Sequence, residues 1–127
     1  MTITQQVFLI LSGLLGFLAV AGGAFGAHYL KYRLAPESLT IFEVAIRYQL
    51  YHVLALIGVV ALMSFSPSIW FNLSGWFFII GTIIFSGSLY ALIISGIKTW
   101  GPVTPIGGII LLLGWLSIML GGIFIRY

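Results

Sequence analysis

Four long runs of apolar residues follow one another along the chain, and short segments between them carry most of the polar and turn-forming residues. The runs cover about 7–27, 39–63, 73–97 and 105–125. A helix that crosses a membrane needs about 20 mainly apolar residues, because it rises about 1.5 Å per residue through a hydrocarbon core about 30 Å thick. Each run is long enough. The pattern therefore predicts an all-α fold, a multi-pass membrane bundle of four transmembrane helices that forms one domain over residues 1–127.

The second apolar run opens with an unusually polar stretch, residues 43–52. On a helix, Glu43 and Arg47 lie four residues apart and can pair, and so can Tyr48 and His52. Ionisable groups inside a membrane need partners, and the apolar residues 44–46 that follow Glu43 must pack against another helix. We therefore expect the Glu43–Arg47 pair to be enclosed by the first helix and His28. Two interpretations stay open, a structural polar cluster and a ligand or proton site. The candidate residues are His28, Glu43, Arg47, Gln49, Tyr51 and His52.

Small residues recur at helical spacing in the first, third and fourth runs. Gly22 and Gly26 are four residues apart, whereas the glycines of the fourth run repeat every seven residues. Helices in lipid associate by close packing, which small side chains permit, so we expect these positions to contact other helices. For the first run, a groove that holds a lipid tail or ligand is the alternative. The expected packing positions are Gly22, Gly23, Gly26, Ala27, Gly87, Gly107, Gly114 and Gly121.

The composition supports the membrane interpretation and removes several classes of function. The chain is 61% hydrophobic and only 6% charged, with a mean hydropathy of +1.23. Its few basic residues are not clustered as in a nucleic-acid-binding surface. It contains neither cysteine nor aspartate, which excludes thiolate chemistry and leaves no catalytic triad. We therefore expect a non-enzymatic protein that has no metal site, uses no cofactor and does not bind nucleic acid.

The basic residues also predict an orientation. Lys31, Arg33 and Arg47 lie on the side of the first loop, Lys98 lies in the third loop on the same side, and Arg126 lies on the other. Positively charged residues of short loops favour the cytoplasmic side. We therefore expect a protein of the cell (inner) membrane with loops 1 and 3 in the cytoplasm and both termini outside.

Several short motifs follow one another in an order that resembles a known family. They are Gly-Ala-Phe-Gly-Ala-His at 23–28, Tyr-Gln-Leu-Tyr-His at 48–52, Phe-Ser-Gly-Ser-Leu-Tyr at 85–90, Thr-Pro-Ile-Gly-Gly at 104–108, and Gly-Trp at 114–115. The sequence resembles the Domain of Unknown Function 423 family of small bacterial integral membrane proteins over essentially its whole length. The resemblance implies a four-helix multi-pass protein, and it implies no activity and no residue roles.

The sequence thus favours an integral membrane protein of unknown molecular function, either an accessory or an assembly protein, with a polar cluster between helices 1 and 2. The alternative is a small oligomeric transporter or a lipid-binding membrane protein. Its surroundings are the lipid bilayer, and the expected partner is a second copy of the chain or another membrane protein. A dry and fully paired cluster would favour the first interpretation, whereas a bound lipid or a water-lined cavity that reaches His52 would favour the second.

Overall fold

A computed structural model of the chain describes residues 1–125, and within them four helical spans are long and apolar enough to cross a membrane. The all-helical, four-span prediction is confirmed. The first span, Ile3–Leu30, consists of three consecutive helical segments, and each of the other three spans contains one long α-helix. The elements are α1 (Ile3–Ala21), a π-helical turn (Gly22–Gly26), α2 (Ala27–Leu30), α3 (Pro36–Phe65), α4 (Ile69–Ser95), a 3-10 turn (Lys98–Trp100) and α5 (Val103–Ile123).

Local signals at the helix ends explain why the spans differ from the predicted ranges. Thr2 and Gln5 form a capping box, so α1 starts at Ile3 rather than at residue 7. Pro36 occupies the first turn of α3, where its missing N–H costs no hydrogen bond. At the end of α4, Gly96 adopts a φ of 68°, a left-handed conformation that glycine takes without strain.

The helices pack with α3 and α4 as the central pair. α1 lies mainly against α3, and α5 lies mainly against α4, whereas α1 and α4 have little direct contact. Phe8 of α1 bridges this gap at one end, where it packs against Gly75 and Trp76 of α4. The main core gathers around this end of the bundle. Its buried members are Phe8, Leu56, Val59, Val60, Phe71, Phe78, Ile79 and Leu111.

α4 and α5 meet through a ladder of phenylalanines and glycines. Phe71, Phe78 and Phe85 are seven residues apart on α4, and each lies against a glycine of α5. A Cβ atom on Gly114 would lie 2.6 Å from Phe78, and one on Gly121 would lie 2.5 Å from Phe71. Gly107 meets the backbone of Phe85. Glycine is required here because any larger residue would push the two helices apart.

The first span packs on α3 through the small residues of its π turn, at the end near the first loop. A Cβ atom on Gly22 or Gly23 would lie 2.9 or 3.2 Å from Ile46, and one on Gly26 would lie 3.4 Å from Phe42. Ala27 is half-buried beside this contact. Gly87 of α4 differs from the expectation, because a Cβ atom added there would meet open space. The reason is the gap between α1 and α4, which Gly87 lines.

The contacts between helices also show which residues of different helices lie at the same height in the bundle. α5 has 21 residues, which at about 1.5 Å per residue equals the hydrocarbon thickness of about 30 Å. The helix contacts place Val103 at about the same height in the bundle as Leu89 of α4, Glu43 of α3 and Gly23 of the π turn. Along α3, Gln49 therefore lies about 9 Å and His52 about 13 Å further into the bundle than Glu43.

Candidate functional site

Gln49 joins three helices inside the bundle. Its side chain is buried, its amide nitrogen donates a hydrogen bond of 2.7 Å to the carbonyl oxygen of Leu15 in α1, and its amide oxygen accepts one of 2.7 Å from the hydroxyl of Tyr90 in α4. Such bonds hold helices together where no water competes for the polar groups. Gln49 therefore contributes to the assembly of the bundle at the point where α1 and α4 are held apart.

His52 joins α3 to α5, and its two partners determine where its proton lies. The indole nitrogen of Trp115 can only donate, and it lies 3.0 Å from Nε2 of His52. Nε2 is therefore the acceptor, and Nδ1 carries the hydrogen, which it donates to the carbonyl oxygen of Tyr48 at 2.7 Å. The imidazole is thus neutral in this arrangement, and both of its nitrogen atoms have partners within the protein.

The Glu43–Arg47 pair is not enclosed, so that expectation is wrong. The charged groups are 3.9 Å apart, and both side chains are more than half exposed, at 59% and 58%. The physical reason is that the first span presents only the small residues Gly23 of the π turn and Ala27 of α2 at this level, which leaves an open cleft of about 210 Å³ beside the pair. Glu43 and Arg47 lie in the half of α3 nearer the first loop, from which long side chains can reach the membrane interface.

The remaining predicted residues also lie apart from the buried pairs. His28 is exposed on α2, and Tyr51 is 53% exposed on the outward side of α3. The structure therefore does not bring the six candidates together as one cluster. It divides them into two buried residues with different partners, Gln49 and His52, and four exposed ones, His28, Glu43, Arg47 and Tyr51.

Several polar residues that the sequence interpretation left out take part in the helix contacts. Tyr90 and Trp115 are the partners of the two buried residues. Ser86 of α4 donates to the carbonyl oxygen of Ala45 in α3 at 2.7 Å. Tyr90 and Trp115 lie within motifs that carried the family resemblance, but they are 41 and 63 residues from their partners along the chain. Helical spacing relates only near neighbours, so it gives no signal for these pairs.

A groove separates α1 from α4 above Gln49. It encloses about 280 Å³, and α3 forms its floor. Beyond the rings of Phe42 and Tyr90, whose centroids are 5.9 Å apart, lies a second and wholly apolar hollow of about 400 Å³. The groove is lined by Leu15, Leu18, Gly22, Phe42, Ile46, Gln49, Thr82, Ile83, Ser86, Gly87 and Tyr90.

The opposite side of α3 carries another cavity, which reaches the second buried pair. It encloses about 410 Å³ between α3, α4 and α5, and its lining includes His52, Trp115, Tyr48 and Phe85. Because Trp115 and Tyr48 already occupy both ring nitrogens of His52, the imidazole presents no free donor or acceptor to this space. The cavity therefore offers mainly apolar surface, both aromatic and aliphatic.

The comparisons with known proteins agree with this architecture. A family model described as "Protein of unknown function (DUF423)" matches residues 22–108. The chain belongs to this family. The family resemblance drawn from the motifs is thereby confirmed. The DUF423 match contains Gln49, Tyr90 and His52 and the beginning of α5, whereas Leu15 and Trp115 lie outside the matched range. No solved structure shows significant similarity to the chain.

Curated relatives extend the similarity to nearly the whole chain. The UPF0382 membrane protein SAB0533 of Staphylococcus aureus (strain bovine RF122 / ET3-1) is 42% identical over 116 residues, which are 91% of this chain and 94% of that protein. The UPF0382 inner membrane protein YgdD of Escherichia coli (strain K12) is 39% identical over 123 residues, 97% of this chain and 94% of YgdD. This DUF423 protein is therefore a multi-pass membrane protein of unknown molecular function.

Proposed function

We propose that this protein is a non-enzymatic accessory or assembly protein that contacts another membrane protein through the outward face of α3. This face consists of Glu43, Arg47, Tyr51, Leu54 and Gly58, all of which are exposed. The observation that carries the proposal is that the polar residues of α3 fall into a group bonded inside the bundle and a group exposed on its surface. Gln49 and His52 are occupied by partners within the bundle, whereas the charged pair is left on the outside.

The shape of the outward face of α3 supports a protein partner. The residues follow one another at three- and four-residue spacing, so they form a stripe along one side of the helix. A Cβ atom added to Gly58 would meet nothing within 4 Å, which leaves room for a second helix to approach closely. A partner that brings opposite charges to Glu43 and Arg47 would also be favoured at this edge of the membrane.

The orientation of the protein forms part of the proposal. Lys31, Arg33 and Lys98 lie in the loops at the same end of the bundle, and Arg47 lies near that end of α3. Arg126 lies outside the described residues. The excess of positive charge supports placing this end in the cytoplasm and both termini outside. The outward face of α3 then presents its charged pair near the cytoplasmic surface.

Site-specific photo-crosslinking in the native membrane tests the proposed contact. A photoreactive phenylalanine at Leu54 should give one discrete protein adduct, whereas the same residue at Leu112, an exposed position of α5, should give none. The adduct should be lost in a Gly58→Leu background and kept in a Gly13→Leu background, since a Cβ atom at either glycine meets open space. Equal labelling at both positions, or an adduct unaffected by Gly58→Leu, would refute the proposed face.

One observation favours the alternative, a transporter or lipid-binding protein. The groove between α1 and α4 reaches Gln49, and it contains a buried threonine, Thr82, in addition to its apolar walls. A ligand site in this groove is compatible with the contact on the outward face of α3, because the groove lies between α1 and α4.

A further inference from the structure

Small residues stand among the apolar residues that line the groove between α1 and α4. Gly22 belongs to the π turn on the α1 side, and Gly87 lies on the α4 side. A Cβ atom added to Gly87 would find no atom within 4 Å, so this position looks into empty space. The separation of the two helices is maintained by Gln49, which binds α1 and α4 at the same time. The space is thus a stable feature of the packing.

Two hydrogen-bond donors border this space without a complete set of partners. Thr82 is only 3% exposed and lines the groove. Its hydroxyl takes part in no side-chain hydrogen bond within residues 1–125, and it is not sealed off from the groove, because Ser74 Oγ is the one fully buried polar side-chain atom without a partner there. Gln49 uses one of its two amide hydrogens on Leu15, and the other has no partner in the described part of the chain. Both residues lie about 10 Å further into the bundle than Val103 and Glu43, inside an apolar span where an unpaired polar group is costly. A bound acceptor would satisfy both donors.

The surroundings restrict what kind of acceptor fits. The lining of the groove contains no charged residue, and Glu43 and Arg47 line a different cleft. A phosphate group inside this groove would have no cation to neutralise it, so phospholipid headgroups are disfavoured. An uncharged carbonyl oxygen has two lone pairs and can accept a hydrogen bond from each of the two donors. The rings of Phe42 and Tyr90 at one end of the groove offer aromatic faces to a planar group.

We propose that the groove between α1 and α4 binds an uncharged lipid whose head is a planar ring bearing carbonyl groups, a molecule of the quinone class. One ring carbonyl accepts hydrogen bonds from Thr82 and Gln49, and the ring lies beside Phe42 and Tyr90. The space of about 280 Å³ accommodates the ring, and the apolar tail continues along the groove. This inference goes beyond the accessory role, and it assigns binding only, without electron transfer.

The test measures ligand-induced stabilisation of the full chain in dodecyl maltoside, followed by circular dichroism during heating. Decylbenzoquinone is the probe, and decylbenzene, which has the same tail and no carbonyl, is its control. A ligand that binds the folded state raises the unfolding temperature in proportion to its occupancy. We expect decylbenzoquinone to raise it and decylbenzene to leave it unchanged. Equal stabilisation by both compounds would show that the groove is only a slot for hydrocarbon, and it would overturn the proposal.

Variants of the groove locate the binding. Thr82→Val keeps the size of the side chain and removes the donor, so it should weaken decylbenzoquinone binding about tenfold. Gly87→Leu should abolish binding by filling the space, whereas Gly122→Leu, which also enters open space but lies at the far end of α5, should leave it unchanged. Unchanged affinity in Thr82→Val refutes the proposal even if Gly87→Leu fails to fold. These variants lie on α4 and α5 and do not change the outward face of α3. The crosslinking test therefore stands or fails separately from the quinone-binding test.

Discussion

At the scale of single residues, burial separates polar groups that are close in sequence. Arg47 and Gln49 are two residues apart on α3, yet Arg47 is exposed and pairs loosely with Glu43, whereas Gln49 is buried with two bonds of 2.7 Å. Exposed ion pairs contribute little because water and mobile side chains compete with them. The uncharged residue therefore contributes more to stability than the charged ones.

Two double-mutant cycles should show this difference as coupling energies. Tyr90→Phe and Gln49→Leu remove the two sides of one hydrogen bond inside the bundle. We expect a coupling between about 0.6 kcal/mol, the mean for such bonds in a membrane protein, and about 1.7 kcal/mol, the largest measured there. Glu43→Gln and Arg47→Gln should show at most about 0.5 kcal/mol. Thermal unfolding in detergent measures both cycles. A larger coupling for the charged pair than for Gln49 and Tyr90 would contradict this ranking.

His52 should hold its hydrogen on Nδ1, because Trp115 donates to Nε2. Nitrogen-15 NMR of selectively labelled histidine should therefore show a protonated Nδ1 and an unprotonated Nε2 at neutral pH. The Trp115→Phe variant keeps an aromatic ring at this position and removes the donor, so its spectrum should show that this tautomer is no longer fixed. A protonated Nε2 in the parent protein would mean that the indole does not donate there.

At the scale of helices, the ladder of phenylalanines and glycines sets the distance between α4 and α5. Gly114→Ala should lower the free energy of unfolding by about 1–3 kcal/mol, since the new Cβ atom would lie 2.6 Å from Phe78. Gly122→Ala is the matched control on the same helix, because its Cβ atom meets open space. Thermal unfolding in detergent distinguishes the two. Similar losses for both variants would show that the effect comes from glycine replacement in general rather than from the contact.

At the scale of the whole molecule, the distribution of charge predicts the orientation. A reporter fused after residue 127 should be active as a periplasmic or extracellular enzyme, because the basic residues of loops 1 and 3 lie at the opposite end. Alkaline phosphatase, which is active only outside the cytoplasm, provides the measurement, and a fusion after Lys98 provides the control with the opposite expectation. Activity of the Lys98 fusion alone would reverse the proposed orientation.

The sequence predicts the spans better than it predicts the polar contacts, and the reason is physical. Long apolar runs directly reflect the thickness of the membrane, and glycines at seven-residue spacing directly mark a helix face. Tyr90 and Trp115, in contrast, contact partners on other helices, 41 and 63 residues away in the sequence. Local sequence spacing therefore cannot predict these hydrogen bonds. The Glu43–Arg47 pair was expected to be sheltered, because spacing reports that two side chains can meet and not whether a third element covers them.

The π turn at Gly22–Gly26 connects α1 to α2 with one residue more than an α-helical path would use, since its hydrogen bonds run from i to i+5. Everything after this turn is therefore rotated by about 100° relative to an uninterrupted helix. Leu30, which lines the second hollow, owes its direction to that rotation. Loss of a single residue such as Ala24 would remove the extra residue that the turn takes up, so an ordinary helix would form and Leu30 would keep its direction. Conversion of the π turn into an α-helical turn without such a loss would instead rotate Leu30 by about 100° out of the hollow. The π turn thus sets how the two halves of the first span are oriented relative to each other.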